Sequence, residues 1–413
     1  MRVSQLFTKT SKNTFSDEES RGTQFLLRAG YIHKEMAGVY DFLPLGKIVL
    51  EKIIAIIRQE MDALGANEVS MSALQNKQLW EQSGRFDDKV LDVWFKTQLN
   101  AGGEIGLAPT HEEPATALMR SFISSYRDLP VSIYQFQTKF RNELRAKAGI
   151  LRTREFLMKD LYSFSRDKAE HEAFYEKVAT SYQRIFHDLG IGEQTFRTFA
   201  SGGSFSKFSD EFQTVCAVGE DVIYLDRARG LAINAEIYTA ETTASLGLDE
   251  KNLEKIKTAE VGNIFTLGYK YAEALGLTFS DRDGRQKPVF MGSYGIGPSR
   301  VMGVIAENLA DTRGLVWPEK IAPFPYYLIG IGEKGKAEAE KLYAMRPDQF
   351  LFDDRDDNTR VGEKFADAEL MGIPQRVIIS EHSLDTDMSL EIKGRREAEA
   401  KLLTLADFKA RLS

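Results

Sequence analysis

The chain has 413 residues, of which 43% are hydrophobic and 28% charged, with a formal net charge of −7. These proportions describe a folded protein of two or three domains and exclude disordered, collagen-like and membrane-embedded chains, as well as a protein coated in positive potential. The single cysteine, Cys216, excludes an intrachain disulfide framework and a four-thiolate metal site, and it fits a reducing cytoplasm.

The first twenty residues carry no apolar segment of the kind that opens a secretory signal, and three acids fall by Glu19. Leu50, Ile53, Ile54, Ile57, Met61 and Leu64 recur at helical spacing and predict a long amphipathic helix stopped by Gly65. Lys47, Glu51, Lys52 and Arg58 interrupt it too often for a membrane span. The strand-like NEVSMSAL follows. In PTHEE, Thr110, Glu112 and Glu113 precede a helix, and two uses remain open: an N-terminal cap, or a carboxylate that meets a substrate ammonium.

The segment SIYQFQTKFRNE alternates, so Gln135, Gln137, Lys139, Arg141 and Glu143 share one face of a strand. REFLMKDLYSFS repeats the period and predicts an antiparallel partner. Between them lie Arg141, Arg145, Lys147, Arg152 and Arg154 against the single acid Glu143. Guanidinium forks on facing strands suit a polyphosphate, and Phe156 offers a stacking surface to a base; a solvated charged hairpin fits the pattern as well. In FMGSYGIGPSRVMGVIAENL, Gly292, Gly295 and Gly297 end a strand before a helix that carries Arg300, which is either a phosphate seat or close strand–helix packing. Strands interleaved with helices, without a regular βαβ beat, predict an α+β domain over an antiparallel sheet.

WPEKIAPFPYY, with three prolines, predicts an extended connector, and the domain boundary is placed there, giving units 1–321 and 322–413. The strands YYLIGIG, QFLFDD and QRVIIS alternate with two helical segments, the second closed by Gly372, which predicts a small α/β domain with a largely parallel sheet. Gly330, Gly332 and Gly335 spell a dinucleotide-binding pattern, with Asp353 about 20 residues on. Glu333, Glu338 and Glu340 on the following helix oppose that reading, since they repel a pyrophosphate. The five histidines form no metal-ligand pattern, and no serine or cysteine sits in a nucleophile context.

FRNE at Phe140–Glu143 with RTREF at Arg152–Phe156 resembles motif 2 of the class II aminoacyl-tRNA synthetases, and GSYGIGPSR at Gly292–Arg300 resembles motif 3. GVYDFLPLG, PTHEE, QTKFRNE, REFLMKDLYSF, GEDVIY, VGNIFTLG and ADAELMGIP, spread over nearly the whole chain, are similar to the bacterial prolyl-tRNA synthetases. The resemblance implies ATP-dependent formation of prolyl-adenylate and transfer to tRNA(Pro) by a cytoplasmic homodimer with no membrane partner. It implies catalytic roles for Arg141 and Arg300. Arg141 would bridge α-phosphate and proline carboxylate, Glu143 would contact the adenine amino group, and Arg152 and Arg300 would hold the outer phosphates. Phe156 and Arg300 would sandwich adenine, Gly297 would belong to the ATP site, and Glu211 and Gln213 would help to bind Mg2+ and ATP, with Glu211 as the metal ligand. Thr110 and Glu112 would receive the proline ammonium in a pocket completed by Arg141, Phe164 and Ser293, and Arg145 would reach toward the tRNA acceptor stem. Residues 322–413 would bind the anticodon. From Pro323 onward there are 14 Lys and Arg against 18 Asp and Glu, so local residues such as Arg355, Arg360, Lys364 and Arg376 are expected to carry the RNA contact.

Departures from the family pattern are Ser72 where motif 1 has a proline, Asp210 before Glu211 where a histidine is usual, Ser293 where a cysteine is frequent, and a longer glycine loop before Glu211. Only about forty residues, Val222 to Val261, stand where many bacterial relatives insert an editing domain, so hydrolysis of alanyl-tRNA by the chain itself is not expected. A catalytically silent synthetase-like binder and a dinucleotide-dependent oxidoreductase are the two rival readings.

Overall fold

The computed structural model describes residues 1–13, 18–146, 148–202 and 208–412. Lys147 and residues 203–207 of the glycine loop therefore lie outside the described residues. Two compact units are present: Met36–Val39 with Ile54–Val304, and a smaller one of Met1–Glu35, Tyr40–Ile53 and Ile305–Ser413. Trp317, Ile321 and Ala322 of the proline-rich connector are buried in the smaller unit, where the Trp317 indole N–H donates to Met371 O (3.1 Å). By contacts, the chain passes from the larger unit into the smaller one between Val304 and Ile305. Among the described residues no helix is long and apolar enough to cross a membrane.

The larger unit is built on nine strands: β1 (Asn67–Glu68), β2 (Val131–Phe140), β3 (Glu155–Ser165), β4 (Thr195–Ser201), β5 (Phe208–Val215), β6 (Asp221–Asp226), β7 (Leu231–Asn234), β8 (Glu254–Gly268) and β9 (Phe290–Ile296). They lie in the order β5-β4-β7-β6-β8-β9-β3-β2-β1, with β5 also pairing β8. Every ladder is antiparallel except β1 on β2 and β7 on β4. The hairpin of the two alternating segments forms as expected, with Lys139 opposite Phe156 and Gln135 opposite Asp160.

Period-2 geometry then assigns the faces. The even row of β2 turns toward the helix Pro44–Ala63: the Tyr134 hydroxyl donates to Asp62 (2.6 Å), and Arg58 lies 4.9 Å over the Phe136 ring. The odd row carries Ile133 in the core, then Gln135, Lys139 and, just past the strand, Arg141. On β3 the even row runs Phe156, Met158, Asp160, Tyr162, Phe164 on this same face. The far face of the sheet is closed by the helix Lys168–Asp188, N-capped by Asp167, whose Tyr182 and Phe186 pack on Phe212.

The smaller unit contains a five-stranded sheet of β10 (Tyr326–Ile331), β11 (Phe350–Asp353), β12 (Gln375–Ser380), β13 (Ser389–Gly394) and β14 (Lys401–Thr404), ordered β11-β10-β12-β13-β14. Its first three strands are parallel, as the alternation of strand and helix predicts, but β13 and β14 join antiparallel, so the sheet is mixed rather than largely parallel. The glycine pattern here is a packing device. A Cβ on Gly335 would come within 2.4 Å of Ile379 O, and the N-terminus of the helix Gly332–Met345 already meets the Glu381 carboxylate through Lys334 N–H (3.0 Å). Asp353 is occupied by Arg355 and the Tyr327 hydroxyl, so it is committed to the fold and not offered to a ribose.

Candidate active site

Three adjoining cavities of about 460, 660 and 810 Å³ share one residue, Arg141. Its backbone N–H closes the hairpin on Arg154 O (2.8 Å), and its Nε donates to Pro109 O (3.3 Å). The guanidinium lies 5.3 Å over the Phe156 ring. Burial and then the charge of Arg300 hold its pKa below the usual arginine value.

The first cavity is lined by Phe156, Met158, Gly295, Gly297 and Arg300 with Arg141. Arg300, on the first turn of the helix Pro298–Leu309, donates to Leu151 O (2.8 Å) and Glu260 O (2.9 Å), so its fork is aimed by two carbonyls. Gly295 sits where a Cβ would meet Asn263 Oδ1 at 2.9 Å, which keeps this floor flat.

The second cavity holds Arg152, Glu143, Glu220, Asp221, Glu260 and Arg300 beside Arg141. Arg152 donates to Glu143 through Nε (3.0 Å) and Nη2 (2.7 Å) and also to Glu220. Glu143 lines this cavity and the third, but not the one that Phe156 lines. Gln213 lines none of the three: it is fully buried, donates to Glu211 (2.8 Å) and Asp221 (2.9 Å), and its Oε1 has no partner among the described residues. Glu211 also accepts from Asn234 (3.0 Å), and burial together with the nearby Glu260 pushes its pKa up to about 8. A carboxylate held against a second carboxylate beside an orphaned amide oxygen is a donor set that suits a divalent cation.

The third cavity is lined by Arg85, Pro109, Thr110, Glu112, Asp160, Tyr162, Phe265 and Ser293 with Arg141. Glu112 accepts from the Thr110 hydroxyl (2.6 Å), Ser293 Oγ (3.3 Å) and Arg85 Nη1 (3.4 Å). Asp160 accepts from Lys139 (3.0 Å), Gln135 (3.1 Å) and the Tyr162 hydroxyl (2.9 Å). Lys139 also meets His111, whose pKa burial and the lysine charge lower to about 4. The neutral imidazole holds Ser72 O at 3.1 Å. Phe164, expected against the amino acid, is instead fully buried in the core with Tyr162, Met291 and Tyr271 and lines none of these cavities. It lies one step beyond Tyr162 on the same row of β3, where the sheet face passes from the cavity into the core.

The model of the tRNA synthetase class II core domain (G, H, P, S and T) matches residues 94–309, and that of an anticodon binding domain matches 326–413. The chain is 36% identical over 431 positions to the proline–tRNA ligase of Anaplasma phagocytophilum, and 35% identical over 449 positions to that of Bartonella bacilliformis, covering 100% of both partners each time. The chain belongs to the proline–tRNA ligase family, among the class II aminoacyl-tRNA synthetases. The fold is that of a crystal structure of prolyl-tRNA synthetase from Cryptosporidium parvum complexed with L-proline and AMP (TM-score 0.75, 17% identity, 95% of this chain and 73% of that one). A second structure of that protein, complexed with halofuginone and AMPPNP, covers 95% and 75% at a TM-score of 0.76.

Motif reasoning passed over two residues at this site. Glu260 shapes the Arg300 and Glu211 environments from β8, opposite Gln213, just before the recognised VGNIFTLG. Arg85 joins both glutamates of PTHEE, and SGR offered no pattern that singled it out. Arg145 is exposed in the hairpin loop. In the smaller unit the expected RNA contacts need correction. Lys364 is buried and donates to Arg355 O (2.6 Å), while Arg355 is held by Asp353 and Asp367 (2.8 Å). Arg360 is exposed, and Arg376 stacks on Phe365 at 4.1 Å. His33, Glu35 and Asp41, all exposed in the smaller unit, are the one group of three potential metal ligands that converges among the described residues.

Proposed function

We propose that the three cavities around Arg141 are subsites for adenine, polyphosphate and proline, and that the chain joins ATP and proline into prolyl-adenylate there before transfer to tRNA(Pro). The observation that carries this reading is the shared position of Arg141, between the aromatic floor of Phe156 and the Thr110–Glu112 pair. A proline carboxylate oxygen attacks the α-phosphorus in line and the bond to the bridging oxygen breaks, releasing pyrophosphate. The nucleophile is already an anion, so the step calls for positioning and for stabilisation of phosphoryl charge, which the Arg141 and Arg300 forks supply, and it needs no general base.

Phe156 and Arg300 enclose the base beside Gly297. Arg152 turns from its carboxylates to the outer phosphates, and Glu143, freed by that turn, becomes available to the adenine amino group. Thr110, Glu112 and Ser293 read the ammonium, and Arg145 meets the acceptor stem. Gln213 acts only through Glu211. When Mg2+ is bound it neutralises phosphate charge, and Glu211 with Glu260 would hold it. Residues 1–321 serve this chemistry and 322–413 the anticodon, in a cytoplasmic homodimer.

We further propose that the chain does not hydrolyse alanyl-tRNA. Val222–Val261 supplies β6, β7 and the start of β8, strands of the catalytic sheet itself, and only residues 235–253, with the short helix Ala240–Ser245, lie between β7 and β8. A pocket that fits proline rejects a smaller amino acid by only about 1–3 kcal/mol per missing methylene, so alanine is misactivated. ATP–pyrophosphate exchange with each of the twenty amino acids tests the reading: exchange is expected with proline and more weakly with alanine. Absence of proline-dependent exchange refutes it, and deacylation of alanyl-tRNA by the purified chain refutes the editing part.

A further inference from the structure

Arg85 is the charged residue of the amino-acid cavity to which no motif assigns a task. The helix Lys77–Gln82, N-capped by the Asn76 side chain, places the fully buried Trp80 beneath it. Gly84, at φ +73°, then reverses the chain, and Arg85 N–H bonds back to Trp80 O (3.0 Å). The guanidinium lies 5.0 Å over the Trp80 ring, and its Nη1 reaches both oxygens of Glu113 (3.1 and 3.2 Å), Glu112 Oε2 (3.4 Å) and the Tyr271 hydroxyl (2.7 Å). Its side chain is 17% exposed, against 13% for Glu112 and 0% for Glu113.

The charges of the cavity sort into pairs. Lys139 answers Asp160, and among the described residues the Arg141 side chain donates only to the carbonyl oxygen of Pro109, which leaves its charge for a substrate anion. Glu112 and Glu113 are adjacent in sequence and share Arg85. Glu113 takes that charge from below, with Ser83 Oγ donating to it at 2.7 Å. Glu112 lines the cavity, with its oxygens fixed by Thr110, Ser293 and the edge of Arg85. Remove Arg85, and the buried Glu113 and the part-buried Glu112 lose the cation between them, where burial already pushes Glu113 up to about 7. The Arg85 hydrogen bonds to Glu112, Glu113 and Tyr271 all leave from the one Nη1 atom; a lysine has a shorter reach and no planar group to lie over the Trp80 ring, so it holds its ammonium there less firmly.

We propose that Arg85 is a positioning residue for proline: through its simultaneous hold on Glu113 and Glu112 it keeps the Glu112 carboxylate fixed and turned toward the substrate ammonium. The inference rests on the reading of Thr110 and Glu112 as the ammonium site. It separates the two adjacent glutamates by task, Glu112 to the ligand and Glu113 to the arginine.

The test is proline-dependent ATP–pyrophosphate exchange with the full chain and three variants, R85K, R85M/E113Q and E112Q, each with its active fraction counted by the single-turnover adenylate burst. R85M/E113Q removes both members of the buried pair, so Glu113 is not left as an uncompensated buried charge, while Glu112 loses Arg85 but keeps its hydrogen bonds from Thr110 and Ser293. Losing a charged hydrogen bond from a desolvated site corresponds to roughly a 10- to 100-fold rise in proline KM. That rise is expected in R85M/E113Q and, to a lesser extent, in R85K, with ATP KM within about twofold and kcat per active site nearly unchanged. A merely structural Arg85 would lower the active fraction and leave proline KM alone, which overturns the proposal. If E112Q raises proline KM and neither Arg85 variant does, the Arg85 role fails by itself. If E112Q leaves proline KM unchanged, the ammonium reading fails and the proposal with it.

Discussion

Removing the Phe156 ring isolates the adenine subsite from the rest of the site. Phe156 projects from β3 opposite Lys139, is half-buried, and has no place in the hydrophobic core, so Phe156→Ala leaves the fold intact. Base–aromatic stacking is worth about 1–3 kcal/mol by alanine substitution, and each 1.4 kcal/mol is tenfold, so ATP KM is expected to rise roughly 5- to 150-fold. A second, smaller effect follows from the Arg141 guanidinium, which rests 5.3 Å over the ring. Losing that support, worth about 0.5–1 kcal/mol at an accessible site, frees the guanidinium to wander and lowers kcat by up to about fivefold. The assay is pyrophosphate exchange with ATP varied at saturating proline, and Phe156→Trp, which keeps a stacking face, is expected to recover most of the loss. An ATP KM within twofold of the parent, or a proline KM that rises as steeply as that for ATP, would refute the assignment of this cavity to the base.

Two other perturbations read the charge arrangement. Glu220→Gln removes one of the two carboxylates that hold Arg152, an exposed pair worth about 0.2–1 kcal/mol, so ATP KM is expected to fall by up to about fivefold; a rise would show that Glu220 aids the phosphates. Glu211 carries a folded-state pKa raised to about 8, so its contribution to stability is present below its unfolded value near 4.5 and is lost as pH climbs through 8. Glu211→Gln is therefore expected to gain stability relative to the parent as urea melts move from pH 5.5 to 8.5, and Mg2+ should stabilise the parent more than the variant at the upper pH. A pH-independent difference, or equal Mg2+ effects, would contradict this.

The hairpin was legible in sequence because its two signals coincide: a strict period of two and a concentration of guanidiniums that a solvated strand does not need. Arg141, Arg152 and Phe156 follow from that pattern and Arg300 from the glycine segment that ends a strand before a helix, and the cavities around Arg141 gather all four. Phe164 was misplaced because periodicity gives the face of a strand but not the depth along it, and the row beginning at Phe156 leaves the cavity after Tyr162. Arg85 and Glu260 were invisible for a different reason. Each works through neighbours distant in sequence, Glu112, Glu113 and Tyr271 for one, Arg300 and Glu211 for the other, and no local spacing encodes such meetings. In the smaller unit the parallel strands were readable from the alternation with helices. The short antiparallel pair Ser389–Gly394 and Lys401–Thr404, lacking an intervening helix, was not. Lys364 and Arg355 looked available to RNA as charges in a list; burial beside Asp353 and Asp367 commits them to the fold.

The central claim, that one guanidinium fork joins the nucleotide to the amino acid, is tested most directly by Arg141→Lys in single-turnover formation of prolyl-adenylate. The substitution keeps the charge and removes the planar pair of donors, and loss of one such preorganised donor set costs about 10²–10³-fold in the chemical step. A drop of that size at saturating ATP and proline, with the protein still folded, is the predicted result. A rate within about fivefold of the parent would mean that Arg141 does not bridge the two substrates.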